Sequence, residues 1–242
     1  YIKFGKIGRI GDVLSFSGKE TKAQRRTNEA IKIIQRELNN LDSYISICDI
    51  QHIKQGTFAK NIQEQFDTAI NGENINAAEK ELLKKIEPEL FRFKPSASNL
   101  NIEMAIERAF KHNMLVQAYT LAQEYIISIT CEQLTEHLAS FRTSFESEKD
   151  RRTFTSSLLA ISNSDVATEN FTGILSKNIR LTKQLLNWPK RQQIHQQYKQ
   201  LTNNRNSLNH AKGAYDERTI IHQFSKTYPD IIQILTEQRP TL

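Results

Sequence analysis

Residues 20–47 place apolar side chains at three- and four-residue steps: Ala30, Ile33, Ile34, Leu38, Leu41 and Ile45 fall on one side of a helical wheel. A period near 3.6 over that length is the mark of a long amphipathic helix and is incompatible with a strand. The rest of the chain has the same character. Its 242 residues include only 8 Gly and 5 Pro, and Leu, Ile, Lys, Glu and Gln dominate. Few turn formers and many helix formers predict a mainly α fold. The chain has no internal repeat and no low-complexity tract.

Two more helices are expected at residues 57–70 and 75–91, split by Asn71-Gly72. Residues 93–99, Phe-Lys-Pro-Ser-Ala-Ser-Asn, are the best linker candidate and a possible sub-boundary. Helices follow at residues 100–111, 114–138, 150–162 and 165–186, with polar breaks near 144–149 and 162–165. Another begins at Pro189, a residue suited to a first helical position. Gly213 is placed to end it. Asp216 is placed to cap a last helix carrying Ile220, Ile221, Phe224, Tyr228, Ile231 and Ile232. Residues 1–20 differ: from Tyr1 they form the one strand-like, Gly-rich segment. Gly5, Gly8 and Gly11 match no dinucleotide fingerprint, and Gly18-Lys19 is followed by Glu20 where a phosphate loop needs Ser or Thr. A short hairpin or connector is expected there.

The composition, 38% hydrophobic and 25% charged, is that of an ordinary folded domain. A net charge of +6 suits a polyanionic partner without requiring one, and it is too dispersed to form a basic stripe. No apolar run is long enough to span a bilayer, so no membrane partner is expected, and no signal-peptide pattern is present. Cys48 and Cys131 allow one disulfide at most. Both lie in apolar helical stretches, so buried free thiols and a reducing cytoplasm are the expectation. His52 is expected to be exposed and His112 to be a cap or surface residue. His137, His195 and His222 sit among charged or amide side chains. No metal-ligand spacing is recognised among them, so neither a metal nor a cofactor is expected.

The chemistry-bearing segment is Arg205-Asn206-Ser207-Leu208-Asn209-His210. Ile194, Tyr198, Leu201 and Leu208 mark one face of its helix, and Arg205 fills the slot that the stripe assigns to an apolar side chain. Arg205 and Asn209 form one i,i+4 pair, Asn206 and His210 another. At 100° per residue all four fit within an arc of roughly 140°. One fixed cation, one titratable imidazole and two amides suit phosphodiester chemistry on RNA. Two plainer readings stand beside this one. Arginine and histidine at this separation also occur by chance in helices, and Asn gathers at helix ends because it competes for backbone hydrogen bonds.

Arg205-Asn206-x-x-Asn209-His210-Ala211-x-Gly213 resembles the signature of HEPN ribonucleases, an Arg followed after four to six residues by His. A second stretch, from Phe110-Lys111-His112-Asn113-Met114 through Ala118-Tyr119-Thr120-Leu121 to Glu124-Tyr125-Ile126, is similar to the central helix of CRISPR-associated CARF–HEPN proteins of the Csx/Csm type. The two segments bracket most of residues 100–235, while residues 1–100 resemble the family only loosely. The resemblance implies a HEPN-type helical bundle over residues 21–242. Residues 1–20 become a connector or the remnant of an upstream nucleotide-sensing CARF domain. On this expectation the chain is a fragment, or its sensor is lost or supplied separately.

The resemblance also implies an activity and partners. The substrate is single-stranded RNA, whose own 2′-OH attacks the scissile phosphate. His210 acts as general acid or base, since an imidazole titrates near neutrality. Arg205 holds phosphate oxygens with paired hydrogen bonds and keeps its charge. Asn206 orients the ring or the phosphate. Asn209 does the same or crosses a subunit boundary, and Lys212 supports substrate binding. The products are a 2′,3′-cyclic phosphate and a 5′-hydroxyl. A homodimer with a composite active site is expected, activated by cyclic oligoadenylate through a sensor domain not evident in these residues, in type III CRISPR antiviral defence. Two alternatives keep the fold: a non-catalytic RNA- or protein-binding module, and a toxin-type HEPN ribonuclease. Glu124 reads equally as a functional or an ordinary helix residue. Lys149, Arg151 and Arg152 read as a solvated face with a secondary role in tracking phosphates.

Overall fold

The computed structural model of the protein describes residues 21–73, 75–209 and 217–236. Among them every regular element is a helix, so the mainly α expectation holds. The strand-like segment 1–20, with Gly5, Gly8 and Gly11, lies outside the described residues, as do Gly213 and Asp216. None of the described helices is long and apolar enough to cross a membrane. The chain divides into two units, residues 1–121 and 122–242.

In the first unit, α1 spans Lys22–Ser46. Thr21 starts it through a reciprocal box: its hydroxyl accepts from the Gln24 amide at 3.2 Å, and Gln24 Oε1 accepts from the Thr21 amide at 2.8 Å. Ala30, Ile31, Ile34, Leu38, Leu41 and Ile45 are buried, whereas Ile33 is half-buried. Ile33 lies about 100° from the centre of that arc and Ile31 about 60°. The true apolar face therefore includes Ile31 and leaves Ile33 at its rim. A short α2, Ile50–Gln55, was not foreseen. It is capped by Asp49, whose carboxylate accepts from the His52 amide. Then come α3, Thr57–Ile70, and α4, Ala77–Leu90, the latter opened by a second capping box between Asn76 and Glu79. α5 is Asn99–Lys111, ended by His112, and α6 is Leu115–His137, within which the two units meet in sequence. α3 lies along α1 and buries Phe58, Ile62 and Phe66.

Residues 93–99 join α4 to α5 inside the first unit, and they are held tightly. Phe93 is buried edge-on against Phe58, with ring centroids 5.2 Å apart. The fully buried Asn101 donates to the carbonyls of Lys54, Lys94 and Ser96 at 3.3, 3.1 and 3.2 Å, and accepts from the Lys94 amide at 2.6 Å. Gly56, between α2 and α3, has φ 70°, and a Cβ there would lie 2.3 Å from the Lys94 carbonyl oxygen. Only glycine fits both that backbone and that approach.

In the second unit the rest of α6 is followed by α7, Ala139–Ser144, and α8, Glu148–Ala160. Three short helices come next: α9, Asn163–Ala167, α10, Gly173–Lys177, and α11, Ile179–Leu186. The continuous helix expected at residues 165–186 is therefore not formed. Glu169 and Gly173 take positive φ, 51° and 56°, which no helix interior accepts. Broken there, the chain folds back so that Leu175, Leu181, Leu185 and Leu186 join Leu134, Phe141, Phe145, Phe154 and Leu158 in one core. A straight helix would carry those leucines past the core. α12, Pro189–Asn209, packs on α8 and on α13, Glu217–Thr236.

Candidate functional site

The rotation of α12 decides where Arg205 points. Ile194, Tyr198 and Leu201 are buried, as the stripe requires, whereas Leu208 near the end of the helix is only half-buried. Two polar anchors near the start of the helix fix it further. Arg191 is 1% exposed, donating through Nη2 to the Ile161 carbonyl and through Nη1 to Asn163 Oδ1 at 3.4 Å. His195 is 5% exposed and donates through Nδ1 to the Leu159 carbonyl at 3.0 Å. Together they satisfy carbonyls that α8 leaves open at its C-terminus. Burial without a carboxylate lowers the pKa of Arg191. His195, which the sequence sets among charged and amide side chains, is thus a buried structural residue.

Arg205 is half-buried one turn beyond Leu201. Its Nη1 donates to Gln123 Oε1 at 2.6 Å, and its Nη2 to Asn206 Oδ1 at 3.1 Å. A guanidinium has five N–H groups, and these bonds engage two of them. Its Nε is buried with no partner among the described residues. Both groups that hold the cation are neutral amides.

Gln123, on α6, is itself fixed. It is 6% exposed, and its Nε2 donates to Thr202 Oγ1 at 2.7 Å and to the Tyr198 hydroxyl at 3.3 Å. The Tyr198 hydroxyl is pushed above its ordinary range by burial, against the opposing effect of hydrogen bonds with Ser156 and Gln123. A phenol in that state stays protonated and stays a hydrogen-bonding group.

The next residue on α6 holds the second arginine. Arg152, on α8, donates through Nη2 to Glu124 Oε2 at 2.7 Å and through Nη1 to Ser128 Oγ. The expectation that Arg152 belongs to a solvated face is corrected: its side chain is only 23% exposed and is ion-paired. Arg151 donates to the Phe145 carbonyl at 3.3 Å, closing the turn before α8.

Of the residues singled out in the sequence, Arg205 and Asn206 are side by side and hydrogen-bonded. Asn206 and Asn209 are exposed at the end of α12. His210 and Lys212 lie outside the described residues. Sequence reasoning missed Gln123, Thr202 and the Tyr198 hydroxyl as a group. Gln123 and Arg205 are 82 positions apart, and no local spacing joins them.

A separate groove of about 310 Å³ runs along the far side of α12, lined by Gln196, Lys199, Gln200, Asn203, Asn204 and Gln223. At 100° per residue, Gln200 and Asn203 lie about 140° and 160° from Arg205, so this groove is not the arginine's. Among the described residues no three His, Cys, Asp or Glu side chains gather as a metal site. No protein-family model, no curated protein and no solved structure matches this chain.

Proposed function

We propose that the protein is a HEPN-type endoribonuclease that cleaves single-stranded RNA without a metal. The observation that carries this reading is the state of Arg205: a half-buried cation fixed by two neutral amides, each taking one Nη hydrogen and leaving the other on each Nη nitrogen. Such a group is prepared for a phosphate, because paired N–H donors match paired phosphate oxygens. His210 follows five positions later in the sequence, within the same arc of a helical wheel.

On this reading Arg205 binds the non-bridging oxygens of the scissile phosphate. His210 takes the 2′-OH proton, or gives a proton to the departing 5′-oxygen. The 2′-oxygen forms the new P–O bond as the 5′-oxygen leaves, giving a 2′,3′-cyclic phosphate and a 5′-hydroxyl. One chain offers a single imidazole at this motif, so two copies in a homodimer share the acid and base roles across a common cleft. Asn206 and Asn209 orient the imidazole or the phosphate, and Lys212 adds a contact with the strand. The family resemblance extends the proposal to type III CRISPR defence, with cyclic oligoadenylate as activator through a CARF domain.

The test is cleavage of single-stranded RNA in excess EDTA by the parent, Arg205→Ala and His210→Ala, with and without cyclic oligoadenylates. The parent is expected to cleave and both variants to fail, with His210→Ala still binding RNA. A folded parent that binds RNA but never cleaves it would leave the non-catalytic binding module as the better account. Cleavage by Arg205→Ala at the parent rate would end the proposal.

A further inference from the structure

We infer that Gln123 is a positioning residue for Arg205, and that its neutrality keeps the guanidinium available to an anionic substrate. The inference rests on the proposed role of Arg205. It is motivated by two adjacent positions on α6 that treat two arginines differently.

Glu124 meets Arg152 with a carboxylate at 2.7 Å. That cation is neutralised where it stands, and a phosphate approaching it must compete with a covalently tethered anion. Gln123 meets Arg205 with an amide oxygen at 2.6 Å. The bond has the short length and fixed direction of a charge-assisted contact, but no negative charge accompanies it. Arg205 is therefore held in place without being cancelled.

The hold is built in depth. Gln123 is almost wholly buried, and Thr202 and Tyr198 accept the hydrogen bonds of its NH₂ group, which turns Oε1 toward Arg205. Thr202 and Tyr198 stand on α12 with Arg205, one turn and two turns before it. A rotation of α12 against α6 would break all three contacts together. Arg205 loses side-chain freedom on folding and not on binding, which favours capture of an anion.

A structural amide and a positioning amide respond differently to charge. Gln123→Glu preserves shape and places a carboxylate on Arg205. It is expected to lower RNA affinity about tenfold at neutral pH and to reduce the salt dependence of binding by about one phosphate contact. Lowering the pH protonates the new carboxyl and should restore part of the affinity. Gln123→Met keeps the volume but removes the acceptor, and should lower kcat more than it raises KM. The urea midpoints of the variants report folding separately.

The experiment measures RNA binding and cleavage for the parent, Gln123→Glu, Gln123→Met and Arg205→Ala at two salt concentrations and two pH values. If Arg205→Ala is impaired while both Gln123 variants match the parent, the inference about Gln123 is overturned and the function stands. If Arg205→Ala itself matches the parent, the functional reading is what fails. Should the Gln123 variants not fold, Thr202→Val carries the test, since it removes the 2.7 Å support from Gln123 without touching the arginine. A several-fold loss of cleavage with an unchanged urea midpoint supports the inference, and unchanged cleavage overturns it.

Discussion

Glu124 neutralises Arg152 across 2.7 Å, and the side chains are 37% and 23% exposed. The pair is partly solvated, so it contributes little to stability, about 1 kcal/mol or less. Its larger effect is on the field around α6 and α8. Glu124→Gln leaves Arg152 charged and unpaired by that carboxylate. RNA affinity should rise about two- to fourfold at low salt, and the gain should shrink at high salt. Fluorescence anisotropy with a labelled single strand at two ionic strengths measures this, and a fall in affinity at low salt would count against it.

Asn101 closes the connection between α4 and α5. Replacing it with Ala removes the partner of the Lys94 and Ser96 carbonyls and of the Lys94 amide, while the Lys54 carbonyl keeps the Ser98 amide at 2.9 Å. Buried polar groups left unpaired cost about 1–3 kcal/mol each, and partial rescue by water brings the expected loss to about 3 kcal/mol. Gly56→Ala should cost a comparable amount, because it combines a φ of 70° with a collision against Lys94. Both changes loosen the same contact, so the double variant should lose clearly less than the sum of the two. Urea unfolding of the two single variants and the double variant tests the coupling.

Glu37 is a buried carboxylate, 5% exposed. Burial by itself would raise its pKa. Hydrogen bonds from Arg36, Asn40 and Asn61 outweigh that effect and hold it below the ordinary value. A depressed folded-state pKa contributes stability above the unfolded pKa, and that contribution disappears as the pH falls through the folded value. Compared with the parent, Glu37→Gln should therefore be destabilised most at neutral pH, and the two should converge in acid. A stability difference that stays constant from neutral pH to about pH 3 would contradict the sign.

The two thiols should react in a fixed order. Cys48 is not in a helix, as its apolar surroundings suggested, but in the turn after α1 with φ 56°, and it is half-buried. Cys131 is 6% exposed in the core of the second unit, and burial raises its pKa. A thiol-reactive dye should modify Cys48 in the native protein and reach Cys131 only on unfolding. Mass spectrometry of partially labelled protein reads the order directly.

The sequence by itself determined the helices whose apolar faces repeat without interruption. α3 falls where the period placed it, and α1, α5, α6 and α8 lie within two residues of their expected ends, because burial of one face and local capping are both local properties. It also placed Arg205 on the inner side of α12, since a cation in an apolar slot is visible in the pattern. Only the tertiary structure decided the rest. The break at Glu169 and Gly173 depends on which core the leucines of α10 and α11 can reach, and α2 is too short for periodicity to register. The surroundings of Arg205 depend on Gln123, a residue whose neighbours in the chain say nothing about it. Hydrogen bonds between distant side chains have no period along a sequence, so the environment of a charge becomes legible only when the helices are packed.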